Sequence, residues 1–393
     1  MADRPTIRLR PREGRRVRGG APWVFSNEIV MDASSKALSA GELIELASND
    51  GALLGTGYFN PKSLIAVRLL APPKTDIDAR FFGKKFARAL KLREHFYVSP
   101  FYRLIHAEGD GLPGLIVDRF GEVCVVQIAT AGMERLRDCV LDALETAIAP
   151  AVVILRNDVP ARALEGLESY VRAVKGDAPK RISIAENGLI YFADPQAGQK
   201  SGWYYDQREN RLYMASLQAA RVLDAYCYSG GFAVLAAAKG AGTVLGLDSS
   251  EPALGLAAEA AAANGVASNC RFVRCDVFEE LARLAEIRER FDMVICDPPP
   301  FAPSRKDLEV AARAYRKLAR LAASLVAPGG FLMLASCSYN MSAERFAGEC
   351  AAGIIRAGRK ASLIRQAGAG PDHPVHPMLP ESAYLKTLIY AVE

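Results

Sequence analysis

Residues 293–301 read Met-Val-Ile-Cys-Asp-Pro-Pro-Pro-Phe, a sequence typical of the end of a strand in an open α/β sheet. An apolar run of strand length ends on the carboxylate of Asp297, and three prolines then prevent a strand or helix from continuing. In an open α/β sheet, ligands bind beyond the carboxyl ends of the strands. The stretch therefore predicts Asp297 at the edge of a pocket, with Phe301 near enough to stack on a bound ring. For this stretch alone, a strand followed by a proline-rich turn without function is the alternative.

The chain after residue 220 repeats a strand–helix–strand rhythm, which is typical of a parallel sheet. Four successive predicted strands end on an acid, namely Asp224, Asp248, Asp276 and Asp297. The turn after the first of these strands contains Ser229-Gly230-Gly231 and lacks the Gly-x-Gly-x-x-Gly pattern that admits a pyrophosphate. The region thus favours a nucleoside ligand without a pyrophosphate over a sheet whose acids have no ligand.

S-adenosylmethionine is the ligand that fits these features. Asp248 is expected to bind the ribose, Asp276 the adenine edge, and Asp224 with the following turn the amino-acid end. The segment 198–211 is rich in polar and aromatic residues, which suits ligand contact better than a linker. The predicted cofactor contacts are Asp224, Tyr228, Ser229, Gly230, Asp248, Asp276, Asp297 and Arg208.

Cys337 follows a fifth predicted strand, residues 330–335, and therefore lies on the same sheet edge as Asp297. The C5 atom of a pyrimidine becomes nucleophilic only after a nucleophile adds at C6, and a thiolate is suited to that addition. A carboxyl at Asp297 can bond the ring nitrogen and the exocyclic amine as the thiolate adds. Cys337 is accordingly predicted as a nucleophile, with a small packing thiol as the alternative. Cys296 is predicted to point into the core.

The first 20 residues hold seven arginines and two acids, in a chain whose formal net charge is +5. Such a cluster is typical of contact with a phosphate backbone, although a merely solvated charged segment has the same composition. The short predicted strands of residues 1–75 indicate a small β-barrel. Its basic strands, with Trp23 and Tyr58 available for stacking, predict an RNA-binding surface.

The remaining composition narrows the class of protein. No apolar run in the 393 residues approaches the ~18 residues of a membrane span, and the N-terminus lacks the apolar segment of a secretory signal. Eight scattered cysteines suit reduced thiols, so a cytoplasmic protein without a disulfide framework is expected. No cysteine or histidine spacing predicts a metal site. The oligomeric state stays open, with a homodimer as one option.

The chain is predicted to divide into three domains. Residues 1–75 form the β-rich module, residues 76–188 an α+β unit, and residues 189–393 the α/β domain with the strand-end acids. A helix is expected from Asp78 to His95. The last boundary is placed near Asn187-Gly188, after a polar stretch.

Six motifs occur together in this chain: Ala21–Ser26 (APWVFS), Glu108–Leu115 (EGDGLPGL), residues 198–208 (GQKSGWYYDQR), Asp297–Phe301 (DPPPF), Ser336–Ser338 (SCS) and Asp372–Pro374 (DHP). Together they resemble the bacterial large-subunit ribosomal RNA cytosine-C5 methyltransferases with an N-terminal PUA domain, and the resemblance covers essentially the whole chain.

The resemblance implies that a PUA domain and an RNA-positioning domain precede a Rossmann-like class I methyltransferase domain. It implies Cys337 as the nucleophile, Asp297 as the motif acid and 23S ribosomal RNA as the partner. Methyl transfer from S-adenosylmethionine would follow thiolate addition at C6. The expected substrate contacts are Phe301, Arg8, Arg10, Trp23 and Lys200.

Two other functions compete with this one. Asp297-Pro298-Pro299 and Phe301 could grip an amine and stack a purine, which would give methylation of a ring or exocyclic nitrogen with Cys337 as a bystander. The chain could also be a non-catalytic RNA-binding ribosome assembly factor. Four strand-end acids speak against this last reading, because binding RNA alone does not need them.

Overall fold

The computed structural model describes residues 4–198, 201–302 and 304–393, which form two compact units. The first unit comprises the described residues of Met1–Ile182, Asp194–Gly202 and Pro371–Ser382. The second comprises those of Ser183–Ala193, Trp203–Gly370 and Ala383–Glu393.

The first unit contains two five-stranded sheets. Its strands are β1 (Thr6–Arg8), β2 (Trp23–Phe25), β3 (Glu42–Ala47), β4 (Leu53–Phe59), β5 (Ile65–Ala71), β6 (Phe101–His106), β7 (Leu115–Phe120), β8 (Val123–Ile128), β9 (Val152–Asn157) and β10 (Tyr170–Lys175). Its helices are α1 (Arg15–Arg18), α2 (Ala33–Ala37), α3 (Ala79–Phe96), α4 (Ala131–Arg135), α5 (Arg137–Ile148) and α6 (Ala161–Leu164). The strand orders are β1-β3-β4-β5-β2 and β10-β9-β8-β7-β6, so the β-rich N-terminal region and the α+β region after it are both confirmed.

Burial alternates along residues 7–10, which comprise the end of β1 and the two residues after it. Ile7 and Leu9 are buried, whereas Arg8 and Arg10 are exposed and available to a polyanion. Arg10 also donates from Nε to the Ile29 carbonyl at 2.9 Å. Trp23 is half-buried, and its Nε1–H donates to Glu108 Oε1 at 2.9 Å.

The expectation that Tyr58 is available for stacking is wrong. Its side chain is 1% exposed, and its hydroxyl lies 2.8 Å from the Pro113 carbonyl, to which it donates, and 2.9 Å from Thr130 Oγ1. A Cβ at Gly132 would come within 2.0 Å of the Tyr58 ring, so the backbone there must be a glycine. Burial also raises the pKa of Tyr58. Tyr58 is therefore a core residue of the first unit.

Two of the sequence motifs of the first unit are joined by buried arginines. Arg93 donates to both carboxylate oxygens of Asp110 at 2.7 Å and to the Asp372 carbonyl at 3.0 Å. The Asp372 carboxylate in turn accepts from the Arg103 backbone N–H at 3.1 Å and lies 2.8 Å from the His373 ring nitrogen Nδ1. Removing one partner of a buried pair of this kind costs about 3–5 kcal/mol because the other charge is left unpaired, so the two motifs depend on each other structurally.

The second unit contains a hairpin and a seven-stranded sheet. Its strands are β11 (Ile182–Glu186), β12 (Leu189–Ala193), β13 (Arg221–Ala225), β14 (Thr243–Asp248), β15 (Cys270–Arg274), β16 (Phe291–Cys296), β17 (Val326–Ser336), β18 (Ala361–Ala367) and β19 (Lys386–Val392). Its helices are α7 (Arg208–Ser216), α8 (Gly231–Ala238), α9 (Glu251–Ala263), α10 (Val277–Glu286), α11 (Leu308–Leu325) and α12 (Ala343–Arg356). This is the predicted Rossmann-like α/β architecture.

The order of the large sheet is β15-β14-β13-β16-β17-β19-β18, and β13 to β17 are parallel. β19 runs antiparallel to both neighbours. The strand order reverses between β13 and β16, and in such sheets the crevice at that switch point receives the ligand. Cys296 at the end of β16 is fully buried, as predicted, because a central parallel strand is covered on both faces.

The predicted boundary near Asn187-Gly188 coincides with a tight turn. Both residues have positive φ, 51° and 80°, and they connect β11 to β12. Asn-Gly is a strong hairpin signal for this geometric reason. The division of the chain into three domains stays a prediction.

None of the helices in the described residues combines the length and apolarity that a membrane crossing requires.

Candidate active site

A strained turn connects β13 to α8 at the switch point. Tyr226 and Tyr228 have positive φ angles of 65° and 48°, and Gly230 follows with 80°. Non-glycine residues in this region are uncommon, and such strain is found at ligand sites. A side chain at Gly230 would approach the Ala257 Cβ to 2.9 Å, so this turn must come close to α9. The turn thus presents backbone and the Ser229 hydroxyl at the carboxyl edge of the sheet.

Asp224 lies under this turn and is completely buried. Its Oδ2 accepts from the Ala233 backbone N–H at 2.9 Å, whereas within the described chain its Oδ1 has no hydrogen-bond partner. The buried Ser229 Oγ lacks one there as well. Burial raises the pKa of Asp224 to about 8, and the carboxylates of Asp297 and Asp248 add to the shift. A cationic or hydrogen-bonding ligand would satisfy both orphaned atoms.

The next two acids are held by backbone N–H groups. Asp248 accepts from Tyr228 through Oδ2 and from Ser250 through Oδ1, each at 2.9 Å, so its orientation at the end of β14 is fixed. Asp276 is exposed and caps α10 by accepting from the Glu279 N–H at 3.0 Å. Their remaining lone pairs suit the hydroxyls and amino group of a nucleoside.

The loops after β16 and β17 are bonded to each other through small side chains. Ser336 donates to the Tyr315 hydroxyl at 2.8 Å, and Ser338 Oγ lies 3.0 Å from that same hydroxyl. Ser338 Oγ also accepts from the Ala302 backbone N–H at 3.2 Å. Both serines are buried, whereas Cys337 between them is partly exposed. The two flanking residues therefore fix the position of the thiol.

The Cys337 thiol lies next to the proline-rich segment that follows Asp297. Its Sγ is 3.9 Å from the Pro298 carbonyl, directly after Asp297. Lys386 Nζ donates to the Ser338 carbonyl at 2.6 Å, one residue beyond Cys337. Burial lowers the pKa of Lys386 to about 8, and the Cys337 thiol opposes that shift. A cation next to a thiol favours the thiolate.

Tyr204 lies close to both the strained turn after β13 and the segment that contains Asp297 and Cys337. Its ring lies edge-on to Tyr228 with centroids 5.3 Å apart. Burial raises the pKa of Tyr204, and Asp297 and Cys337 are among the groups that raise it further. The strained turn between β13 and α8, the Asp297 carboxyl and the Cys337 thiol are therefore all close to Tyr204, in one region of the second unit.

Phe301 packs against other aromatic rings. Its centroid is 4.8 Å from that of Tyr315 and 6.0 Å from that of Phe278. The ring is only partly buried, so its contact with a substrate base stays a prediction.

Arg208 is buried in an ion pair. Its Nε donates to Glu186 Oε2 at 3.2 Å, and Arg211 donates to the other oxygen at 2.5 Å. Trp203 Nε1 donates to Oε2 of the same carboxylate at 2.9 Å. These contacts anchor the segment before α7, and a cofactor contact by Arg208 stays a prediction. Lys200 lies outside the described residues.

Sequence reasoning missed Tyr204, Tyr315 and Lys386. The sequence predicts ligand contact for segment 198–211 as a whole and does not single out Tyr204, and Lys386 has the pattern of an ordinary strand residue. Tyr315 is one apolar position of an amphipathic helix. No local signal distinguishes these residues, since their partners are remote in sequence.

Two family models match the chain. A PUA-like domain matches residues 7–72, and the S-adenosylmethionine-dependent methyltransferase family matches residues 108–387. The second match spans well over half of the chain. The chain belongs to the S-adenosylmethionine-dependent methyltransferases. The reading as a non-catalytic factor is therefore set aside.

Known relatives extend over the full length. The chain is 36% identical over 377 residues to "Ribosomal RNA large subunit methyltransferase I" of Pseudoalteromonas atlantica, covering 94% of this chain and 95% of that protein. It is 38% identical over 372 residues to the protein of the same name from Photobacterium profundum, covering 93% and 94%. The chain thus belongs to the same family as these relatives.

A solved structure has the same fold. A candidate SAM-dependent methyltransferase from Streptococcus mutans superposes with a TM-score of 0.84 at 21% identity, covering 98% of this chain and 100% of that one. This likeness confirms the predicted fold class.

The site of this methyltransferase fits S-adenosylmethionine. The cofactor is a cation with an amino-acid end, and the orphaned Asp224 Oδ1 and Ser229 Oγ are the kinds of group that end requires. Asp248 is oriented to accept from ribose hydroxyls. The individual contacts stay predictions.

S-adenosylmethionine binding is expected to tighten as the pH rises towards 8. Below its pKa of about 8 the Asp224 carboxyl is protonated, whereas a cationic ligand favours the carboxylate, so binding releases a proton. Between pH 6 and 7.5 the Kd should fall by up to about tenfold per pH unit, and it should level off above 8. Calorimetry in buffers of different ionisation enthalpy measures both the Kd and the released proton.

The matched variants are Asp224→Asn and Asp292→Asn. The first should remove the pH dependence. The second changes a carboxylate near the opposite end of β16, which accepts from the Arg221 N–H, and should preserve it. A wild-type Kd that does not change with pH would contradict the assignment.

Proposed function

We propose that this methyltransferase transfers a methyl group to C5 of a cytosine in large-subunit ribosomal RNA, through a covalent bond between Cys337 and C6. The observation that carries the proposal is the position of the Cys337 thiol. Its Sγ lies 3.9 Å from the carbonyl of Pro298, the residue after Asp297, in the same unit as the strained turn between β13 and α8. The names of the relatives support ribosomal RNA as the substrate.

The thiol would begin the reaction. Cys337 Sγ adds to C6 as a thiolate, and the electron pair of the C5–C6 double bond moves towards C5 and into the ring. The Asp297 carboxyl hydrogen-bonds the ring nitrogen and exocyclic amine and so stabilises the charge that develops there. When bound, S-adenosylmethionine would supply an activated methyl group to C5 and leave as S-adenosylhomocysteine. Loss of the C5 proton to water then restores the C5–C6 double bond as the Sγ–C6 bond breaks and Cys337 leaves as a thiolate.

Neighbouring residues support the thiolate. Lys386, bonded to the Ser338 carbonyl, places a partly buried ammonium beside Cys337. Tyr315 holds the serines on both sides of the thiol. Lys386 and Tyr315 are therefore positioning residues for the nucleophile.

RNA contact would be distributed over the chain. In this proposal residues 1–75 bind RNA through Arg8, Arg10 and Trp23, residues 76–188 position it, and residues 189–393 carry the chemistry. Phe301 stacks on the base, which must leave its helix to reach the site. The reaction would take place in the cytoplasm, where ribosomal RNA is made in bacteria.

The proposal is tested by the identity of the product. Incubated with protein-free large-subunit ribosomal RNA and S-adenosylmethionine, the protein is expected to produce 5-methylcytidine, identified by mass and chromatography after nuclease digestion. RNA incubated without the cofactor is the control. A methylated purine would instead support nitrogen methylation by Asp297 and Phe301, with Cys337 as a bystander.

A further inference from the structure

A groove of about 210 Å³ lies between α11 and α12 in the second unit, and every residue that lines it is basic. The lining residues are Arg313, Arg316, Lys317, Arg320 and Arg356. One of them is neutralised: Arg316 donates from Nε to Glu349 Oε2 at 2.7 Å. The groove is therefore a concentration of positive charge on a chain that is nearly neutral overall.

The other four cations form no salt bridge within the part of the chain that the structure describes. Arg313 is near enough to Glu309 for its charge to help lower the pKa of that carboxyl, but Glu309 is bonded to Arg345, at 2.8 Å. Like charges that share a groove repel one another, and an anion bound there would offset that repulsion. Because none of the residues that line the groove is acidic, the groove favours a ligand that brings negative charge of its own.

The spacing of the cations suits a chain of phosphates. On α11 they recur at intervals of three and four residues, which places them on one face of the helix. Arg313 and Arg320 are about 10 Å apart along the axis at 1.5 Å per residue. A stacked strand carries a phosphate about every 3.4 Å, so the row spans about three nucleotides.

The groove lies near Phe301, on which the target base is proposed to stack. Lys317 Nζ is 4.9 Å from the centre of the Phe278 ring, and Phe278 packs against Phe301 at 6.0 Å. A strand whose base is turned towards Phe301 would thus leave its backbone within reach of Lys317.

We propose that this groove binds the phosphodiester backbone of the RNA strand that carries the target base. The inference rests on the proposed function, since it takes RNA as the substrate. It adds a second RNA-binding surface, on the methyltransferase unit itself and separate from the arginines of the N-terminal region.

The test replaces the four unpaired cations together. The groove variant combines Arg313→Gln, Lys317→Gln, Arg320→Gln and Arg356→Gln, and retains Arg316 with its partner. The control variant makes the same charge change at exposed positions outside the groove, with Lys239→Gln, Arg288→Gln, Arg290→Gln and Lys360→Gln. Glutamine is a good helix former, so α11 and α12 should persist in the groove variant.

Binding of a single-stranded fragment of large-subunit RNA is measured by fluorescence anisotropy between 0.05 and 0.3 M salt. The groove variant is expected to bind about 10- to 100-fold more weakly at ~0.15 M salt, with a log–log salt slope shallower by about 3. The control variant should lose little. S-adenosylmethionine affinity should be unchanged in both variants, which shows that the second unit is folded.

Equal losses in the two variants would overturn the inference, since they would reflect net charge alone, and so would an unchanged groove variant. A failure of the proposed function can be distinguished from a failure of the groove proposal. A wild-type protein that binds RNA through the groove but transfers no methyl group would contradict the function and support the groove.

Discussion

Replacing Cys337 with alanine is expected to lower kcat/KM for ribosomal RNA methylation by at least about a thousandfold, as loss of a covalent nucleophile does in other enzymes. Without the thiolate, C5 of cytosine is not nucleophilic enough to accept a methyl group. The affinity for S-adenosylmethionine should stay the same, because Ser336 and Ser338 still hold the loop against Tyr315. The measurement is methyl incorporation under single turnover, with calorimetry of the cofactor alongside.

Cys337→Ser and Cys270→Ala complete the series. The serine hydroxyl is a far weaker nucleophile at neutral pH, so Cys337→Ser should be nearly as inactive as the alanine variant. Cys270 is a partly buried thiol in β15 whose pKa burial raises to about 11, and its removal should preserve activity. This control separates the loss of a particular thiol from the loss of any thiol.

A second readout detects the covalent bond directly. RNA with fluorine at C5 of the target cytosine cannot lose a proton there, so the elimination that frees Cys337 is blocked. The wild type should then form an RNA–protein adduct that survives denaturing electrophoresis, and Cys337→Ala should not. Full activity of Cys337→Ala without any adduct would rule out the covalent mechanism and favour nitrogen methylation.

The sequence predicts much of this site because its signals are local. Asp224, Asp248 and Asp297 each follow apolar residues of a strand directly, and in a parallel sheet the carboxyl ends of the strands meet at one edge. Asp276 differs, because β15 ends at Arg274 and Asp276 caps α10 instead. Asp224, Asp248 and Asp297 therefore come together without any knowledge of long-range contacts. The buried Cys296 follows from the same reasoning, because it precedes Asp297 on an extended strand.

Other features depend on tertiary packing that no local pattern reveals. Tyr58 lies on β4, where the residues from Gly55 to Phe59 are all buried, so alternation along the strand does not identify an exposed face. Lys386 meets the Cys337 loop only because β19 inserts antiparallel beside β17. The Asn187-Gly188 turn carries a hairpin signal, but its flanking strands β11 and β12 are only five residues long each, too short for the sequence pattern to predict them.

The strongest effect after Cys337 is expected at Asp297. Asp297→Asn should lower kcat by about 100- to 1,000-fold, the usual loss when one group that stabilises developing charge is removed. The amide has nearly the same shape as the carboxyl, but it cannot exchange a proton with the ring nitrogen as charge develops. The prolines after residue 297 and the backbone bond from Asp297 N to the Ala225 carbonyl, at 3.3 Å, should hold its position.

Comparing the effects of Asp297→Asn on the catalytic rate and on the Kd for S-adenosylmethionine distinguishes two possible roles of Asp297. Asp297 is also a predicted cofactor contact. If Asp297 only binds the cofactor, Asp297→Asn should raise the Kd for S-adenosylmethionine by the same factor by which it lowers activity at subsaturating cofactor. If Asp297 acts in catalysis, Asp297→Asn should lower the single-turnover rate even at saturating cofactor, with a much smaller change in that Kd. Asp292→Asn, on the strand that precedes Asp297, should change neither quantity. If saturating cofactor restores the Asp297→Asn rate to that of the wild type, Asp297 binds the cofactor and takes no part in the chemistry at C5.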